Sequence, residues 1–90
     1  ENYKAAVVAF DNMIVKYPSS VFKEDIYYYA VLSRYELAIN SIESKKMERL
    51  DNTIKSYRKF VEEFPDSDKV NELKTVKNRT ESTIKLMDKN

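Results

Sequence analysis

Glycine is absent from all 90 residues. Average usage would supply about six, and without any the chain lacks the residue that phosphate-cradling loops, dinucleotide-binding turns and two-residue hairpins need for positive φ. His and Cys are absent as well. Their loss removes the imidazole base, the thiolate nucleophile, the common zinc ligands, haem attachment and the disulfide. Most enzyme chemistry goes with them, so a non-enzymatic protein without a cofactor or metal is expected. An excess of charge of one sign is missing too: 16 Lys and Arg stand against 15 Asp and Glu, a net charge of +1. That balance gives no bulk attraction for nucleic acid or an anionic lipid surface, and no nucleic-acid partner is expected. No apolar run approaches the ~18–20 residues of a membrane span, and no signal segment opens the chain. Because Glu1 falls inside a helical pattern, the chain reads as a piece of a longer protein, in which an anchor or signal would lie elsewhere.

What is present argues for a folded domain. Hydrophobic residues make up 42%, including seven Tyr and four Phe, unlike the aromatic-poor, highly charged composition of disordered chains. A chain of this length supports one domain that buries roughly 60–65% of its unfolded surface, so residues 1–90 read as a single module.

Tyr3, Ala6, Val7, Phe10, Met13, Ile14 and Tyr17 recur at helical steps of three and four and predict a helix near 2–17 that Pro18 ends. Ser19 or Ser20 is placed to cap a second helix, near 20–42, with Glu24 favouring its positive end. Its apolar sector is wide: Ile26, Tyr29, Ala30, Ser33 and Leu37 line one face, and Tyr28, Val31, Leu32, Tyr35, Ala38, Ile39 and Ile42 a neighbouring one. It should therefore touch helices on two sides. Residues 40–46, Asn-Ser-Ile-Glu-Ser-Lys-Lys, favour a turn. Met47, Leu50, Ile54, Tyr57, Val61 and Phe64 predict a third helix near 47–64 that ends at Pro65. Asp66 or Ser67 then caps a fourth, near 67–87, whose single narrow stripe of Val70, Leu73, Val76, Thr80, Ile84 and Met87 suits a terminal cap.

The chain repeats itself. A shift of 47 residues places Tyr17-Pro18-Ser19-Ser20 on Phe64-Pro65-Asp66-Ser67, Phe10 on Tyr57, Ile14 on Val61 and Tyr3 on Leu50. Two copies of a stripe and its Pro-x-Ser turn predict an all-α fold of about four helices, stacked as antiparallel helical hairpins. Phe10 and Tyr57 are the expected equivalent core anchors.

Tyr3, Ala6, Phe10, Met13 and Pro18 occupy the intervals of the second helix of a tetratricopeptide repeat, which this segment resembles. The second copy keeps Leu50, Tyr57, Phe60 and Pro65 and has Thr53 at the small position. The resemblance implies a tetratricopeptide-like α-solenoid fragment, but the period of 47 exceeds that family's usual 34. The surplus lengthens the hairpin between Ala38 and Leu50. With the tract Leu37-Ala38-Ile39-Asn40-Ser41, then Glu43-Ser44-Lys45-Lys46-Met47-Glu48-Arg49 and the later Phe64-Pro65-Asp66-Ser67, the long repeat is similar to the C-terminal half of the BamD family of outer-membrane barrel-assembly lipoproteins. That resemblance covers most of the chain and weakens after about Lys69. It implies a scaffold on the periplasmic side of the bacterial outer membrane, held there by a lipid anchor outside this segment. The partners it implies are the periplasmic domains of the central barrel-assembly subunit and accessory lipoproteins. The alternative is another tetratricopeptide adaptor, periplasmic or cytoplasmic, that binds peptides or proteins. Zero Cys fits an oxidising compartment without demanding one.

Contact candidates are few. In Tyr27-Tyr28-Tyr29 successive side chains point about 100° apart, so Tyr28 and Tyr29 are expected in the core and Tyr27 is the one available to a partner. Tyr27 and Arg34 lie seven residues apart, two turns along one face, and are residue types enriched at interface hot spots. Lys45 and Lys46, with Arg49 nearby, offer positive charge in the expected turn. Arg58 with Glu62, and Lys59 with Glu63, stand at i,i+4 as surface helix support.

Overall fold

The structure, a computed structural model, describes residues 2–88. The chain is all-α: α1 (Tyr3–Lys16), α2 (Lys23–Ile39), α3 (Glu43–Glu63) and α4 (Val70–Asp88), with no strand among the described residues. The α2 helix is the hub. It runs antiparallel to α1 and to α3 on its two sides and parallel to α4, while α4 packs antiparallel on α3. The wide apolar sector of α2 thus meets helices on two sides, as expected, and touches α4 as well.

The 47-residue repeat reappears in the backbone. Adding 47 to the residues of α1 and α2 lands within α3 and α4. Each helix before a proline ends on an aromatic residue in nearly the same conformation, Tyr17 at φ −127° and ψ 61°, Phe64 at φ −134° and ψ 62°. Tyr17 N–H donates to the Met13 carbonyl at 2.9 Å and Phe64 N–H to that of Phe60 at 2.8 Å. Proline cannot supply the next N–H, so the chain turns, and the serine two residues after each proline ties it. Ser20 Oγ accepts from Phe22 N–H at 3.0 Å, and Ser67 Oγ from Lys69 N–H at 3.1 Å. These bonds brace a one-turn loop, so α2 and α4 begin three residues later than the capping pattern predicts.

The connection between α2 and α3 is shorter than expected. Asn40 donates its side-chain amide to the Glu36 carbonyl at 2.8 Å, and Ser41 donates its hydroxyl to that of Leu37. Both saturate carbonyls at the end of α2 and stop it at Ile39. Ile42 then turns extended, at φ −65° and ψ 154°, and α3 starts at Glu43, an acidic residue at the positive end of the helix. Lys45 and Lys46 therefore lie in the first turns of α3, not in a loop.

The core differs from the sequence expectation in which aromatics it buries. Tyr27, Val31, Phe60 and Leu73 form its centre, with Phe60, Val31 and Leu73 fully buried. Phe10 and Tyr57 are equivalent, but only half-buried; Phe10 stacks on Tyr29 with ring centroids 6.0 Å apart. Leu50, Thr53 and Phe60 have no exposed surface, whereas the repeat equivalent of Phe60, Met13, is 38% exposed. The reason is the neighbours: α3 lies against both α2 and α4, and α1 against α2 alone. The expected stripe of α4 holds, with Leu73 and Thr80 buried and Val70, Val76, Ile84 and Met87 partly so. Polar contacts fasten the start of α2 to the start of α4: Ser67 donates to Glu24, Lys69 pairs with Asp25 at 3.6 Å, and Tyr28 donates to Glu72. Among the described residues neither i,i+4 pair expected on α3 forms; Glu63 instead reaches Lys23 of α2 at 3.3 Å.

Candidate functional site

Since α1 and α3 both run antiparallel to α2, they lie side by side in the same direction, yet no Cα of one comes within 8 Å of a Cα of the other. The gap is a groove floored by α2. Its floor is Tyr27, Ala30, Arg34 and Leu37, a stripe at steps of three and four. One wall is Lys4, Val8, Asp11 and Val15 of α1, again at helical steps; the other is Glu48, Asn52, Lys55, Ser56 and Lys59 of α3. The wider part, about 430 Å³, lies toward Val15 and Lys59, and a narrower part of about 200 Å³ continues toward Lys4 and Glu48. Arg34 and Asn52 belong to both. Ten residues of α2 separate Tyr27 from Leu37, a length of about 15 Å at 1.5 Å per residue.

The groove mixes apolar surface with positive charge. Val15 is 81% exposed and Val8 52%, so its α1 wall is greasy and wet. Five basic and two acidic side chains line the two parts together. Asp11 is paired across the groove floor with Arg34. Arg49 donates to the Ser41 hydroxyl at 2.8 Å, which holds it at the narrow end. Lys55 and Lys59, exposed and one turn apart on α3, have no ion-pair partner among the described residues.

Two of the four contact candidates lie here. Tyr27 and Arg34 share the floor, as their spacing requires, but the expected order of the tyrosines is reversed. Tyr27 is 6% exposed, packed edge-on against Phe64 and covered by Lys23 Nζ at 5.7 Å from its ring, whereas Tyr29 is 50% exposed. A partner in the groove would meet the rim of Tyr27 and not a free ring. Arg34 is already engaged by Asp11. Lys45 stands two turns before Asn52 on the same side of α3, past the narrow end, and Lys46 points about 100° away from it. Neither lysine lines the groove. The residues that sequence reasoning missed are Val8, Val15, Lys55 and Lys59. Lys4, Val8, Asp11 and Val15 fall at i, i+4, i+7 and i+11, a signal visible in the sequence; the gap that gives it meaning is not.

One titratable group departs clearly from its ordinary value. The Tyr28 phenol donates to Glu72, and that hydrogen bond first, then burial and the negative charge of Glu72, push its pKa up from 10.0 to about 12. The folded state thus holds the phenolic proton more tightly than the unfolded chain. The contribution is fully present below pH 10 and is lost as pH rises toward about 12. In thermal melts between these two values, the midpoint of the wild type is expected to fall more steeply than that of Tyr28→Phe; parallel curves would contradict the assignment. Among the described residues no group of three or more acidic side chains is placed to hold a metal ion, and no helix is long and apolar enough to cross a membrane. A scan against protein-family models finds no match for the chain, and a search of curated proteins finds no significant one.

Proposed function

We propose that this chain is a non-catalytic interaction module, two stacked helical hairpins that hold a protein partner. The observation that carries this reading is the groove across α2, an exposed surface of apolar and basic side chains assembled from three helices. Its open length suits a chain segment better than a small molecule, and neither His nor Cys is available to it. We further propose, on the resemblance to the BamD family, that the module serves in the complex that folds and inserts β-barrel proteins into the bacterial outer membrane. Its site of action would then be the periplasmic side, and its partners the periplasmic domains of the central barrel subunit and accessory lipoproteins. The competing reading, a tetratricopeptide adaptor that clamps peptide tails, would rest on Arg34 of α2 and on Asn40 at its C-terminal cap. Both are engaged internally, Arg34 by Asp11 and Asn40 by the Glu36 carbonyl, which favours the scaffold. Immobilised chain is expected to retain the purified periplasmic domains of a central barrel subunit in a saturable way. Retention no greater than on a blank surface, by chain shown to be helical by circular dichroism, would overturn the barrel-assembly reading.

A further inference from the structure

We infer that the groove between α1 and α3 takes an acidic amphipathic helix, seated with its apolar edge on Val8 and Val15 and its carboxylates on Lys55 and Lys59. The inference rests on the interaction-module reading and names the class of partner.

Charge complementarity selects the occupant. The whole chain is nearly neutral at +1, yet the two parts of the groove carry five basic side chains against two acidic ones. Positive charge is therefore concentrated here and offset on other surfaces. Asp11 neutralises Arg34 at the floor, so most of the charge left for a partner sits on the α3 wall, with Lys4 alone on α1. Lys55 and Lys59 are four residues apart, about 6 Å along the helix. Carboxylates at i and i+4 of a helix lying parallel or antiparallel to α3 have the same spacing. The opposite wall asks for apolar contact, because Val8 and Val15 repeat every seven residues and present mostly hydrocarbon to water. A segment that is acidic on one edge and apolar on the next satisfies both walls at once. A basic segment would face Lys55 and Lys59 as like charges, and an uncharged one would leave them without partners.

The probe is a fluorescein-labelled designed helical peptide, with glutamates at i,i+4 beside a leucine-alanine stripe, titrated with the full chain by anisotropy. Saturable binding is expected, weakening as salt shortens the screening length from about 10 Å to about 3 Å. The same peptide with every Glu replaced by Lys should bind at least about tenfold more weakly. Lys55→Glu with Lys59→Glu, on an exposed wall, should lower affinity for the acidic peptide by about tenfold and raise it for the basic one, with an unchanged circular dichroism spectrum. Lys74→Glu with Arg79→Glu, exposed on α4, makes the same change in net charge elsewhere and should leave affinity within about twofold. Absence of binding, equal binding of both peptides, or an equal effect of the two charge reversals overturns the inference. If barrel-subunit domains are still retained by the Lys55, Lys59 variant, the groove assignment falls and the module reading survives. If the acidic peptide binds in the groove while those domains are not retained, the barrel-assembly reading falls and the inference stands.

Discussion

Truncating Phe60 to Ala is expected to destabilise the chain by about 3–5 kcal/mol, the range for a buried aromatic. Phe60 has no exposed surface, lies in the same cluster as Tyr27, Val31 and Leu73, and packs its ring 5.4 Å from that of Phe64. It therefore joins three helices, α2, α3 and α4, and its loss leaves a cavity that none of them can fill without moving the other two. A domain of this size has a total stability of about 5–15 kcal/mol, so the variant should be largely unfolded at moderate urea. Phe10→Ala should cost less, about 1–2 kcal/mol, because Phe10 is half-buried and touches only α2. Equilibrium urea unfolding followed by circular dichroism measures both. Equal midpoints for the two variants would show that the core is not centred on α3.

Leu73→Ala is expected to cost about 2–5 kcal/mol, as for a fully buried leucine. This side chain is where α4 enters the common core; most of the other apolar residues of α4 are only partly covered. Without it α4 keeps the contact of Glu72 with Tyr28, and the turn before it those of Ser67 with Glu24 and Lys69 with Asp25, which are partly exposed and weak individually. Amide exchange should then speed up first along α4 and only later in α2, since α4 alone loses its anchor. Val21→Ala, at a residue 92% exposed, should shift stability by less than about 0.5 kcal/mol. Because Phe60 and Leu73 share one cluster, the double variant should cost less than the two single effects added. A Leu73→Ala chain as stable as the wild type would remove α4 from the cooperative unit.

Much of the architecture can be read from residues whose effect is local. Pro18 and Pro65 end helices wherever they stand, and Ser20 and Ser67 brace the same turn because a serine oxygen needs only the amide two residues on. The stripe of α4 is legible because it meets the core on one edge. The order of Tyr27, Tyr28 and Tyr29 is not legible from the run itself: three similar side chains at 100° intervals carry no phase. The phase of α2 is set by Ala30, Val31 and Ala38, all nearly or fully buried, small residues that let neighbouring helices approach, and Tyr27 is in step with them. The start of α3 was hidden for a different reason. Glu43, Ser44, Lys45 and Lys46 have little apolar periodicity, so a pattern built on burial begins only at Met47, although the backbone is helical from Glu43. The groove was the least legible feature, since it depends on the distance between two helices that share no contact. Only Tyr27 and Arg34 on its floor were marked by their spacing.

The free sides of α1 and α4 are not complementary, and this bears on contact between copies of these four helices. Shifting α2 by 47 residues puts Lys74, Lys77, Asn78 and Lys85 of α4 where α2 has Tyr27, Ala30, Val31 and Ala38. If α4 of one molecule tried to cover α1 of the next as α2 covers α3, it would have to bury three ammonium groups against Ala6, Met13 and their neighbours, at a cost that the small apolar area gained would not offset. Head-to-tail contacts that fail to close generate filaments. Lys74, Lys77 and Lys85 therefore oppose that contact between two copies of these four helices.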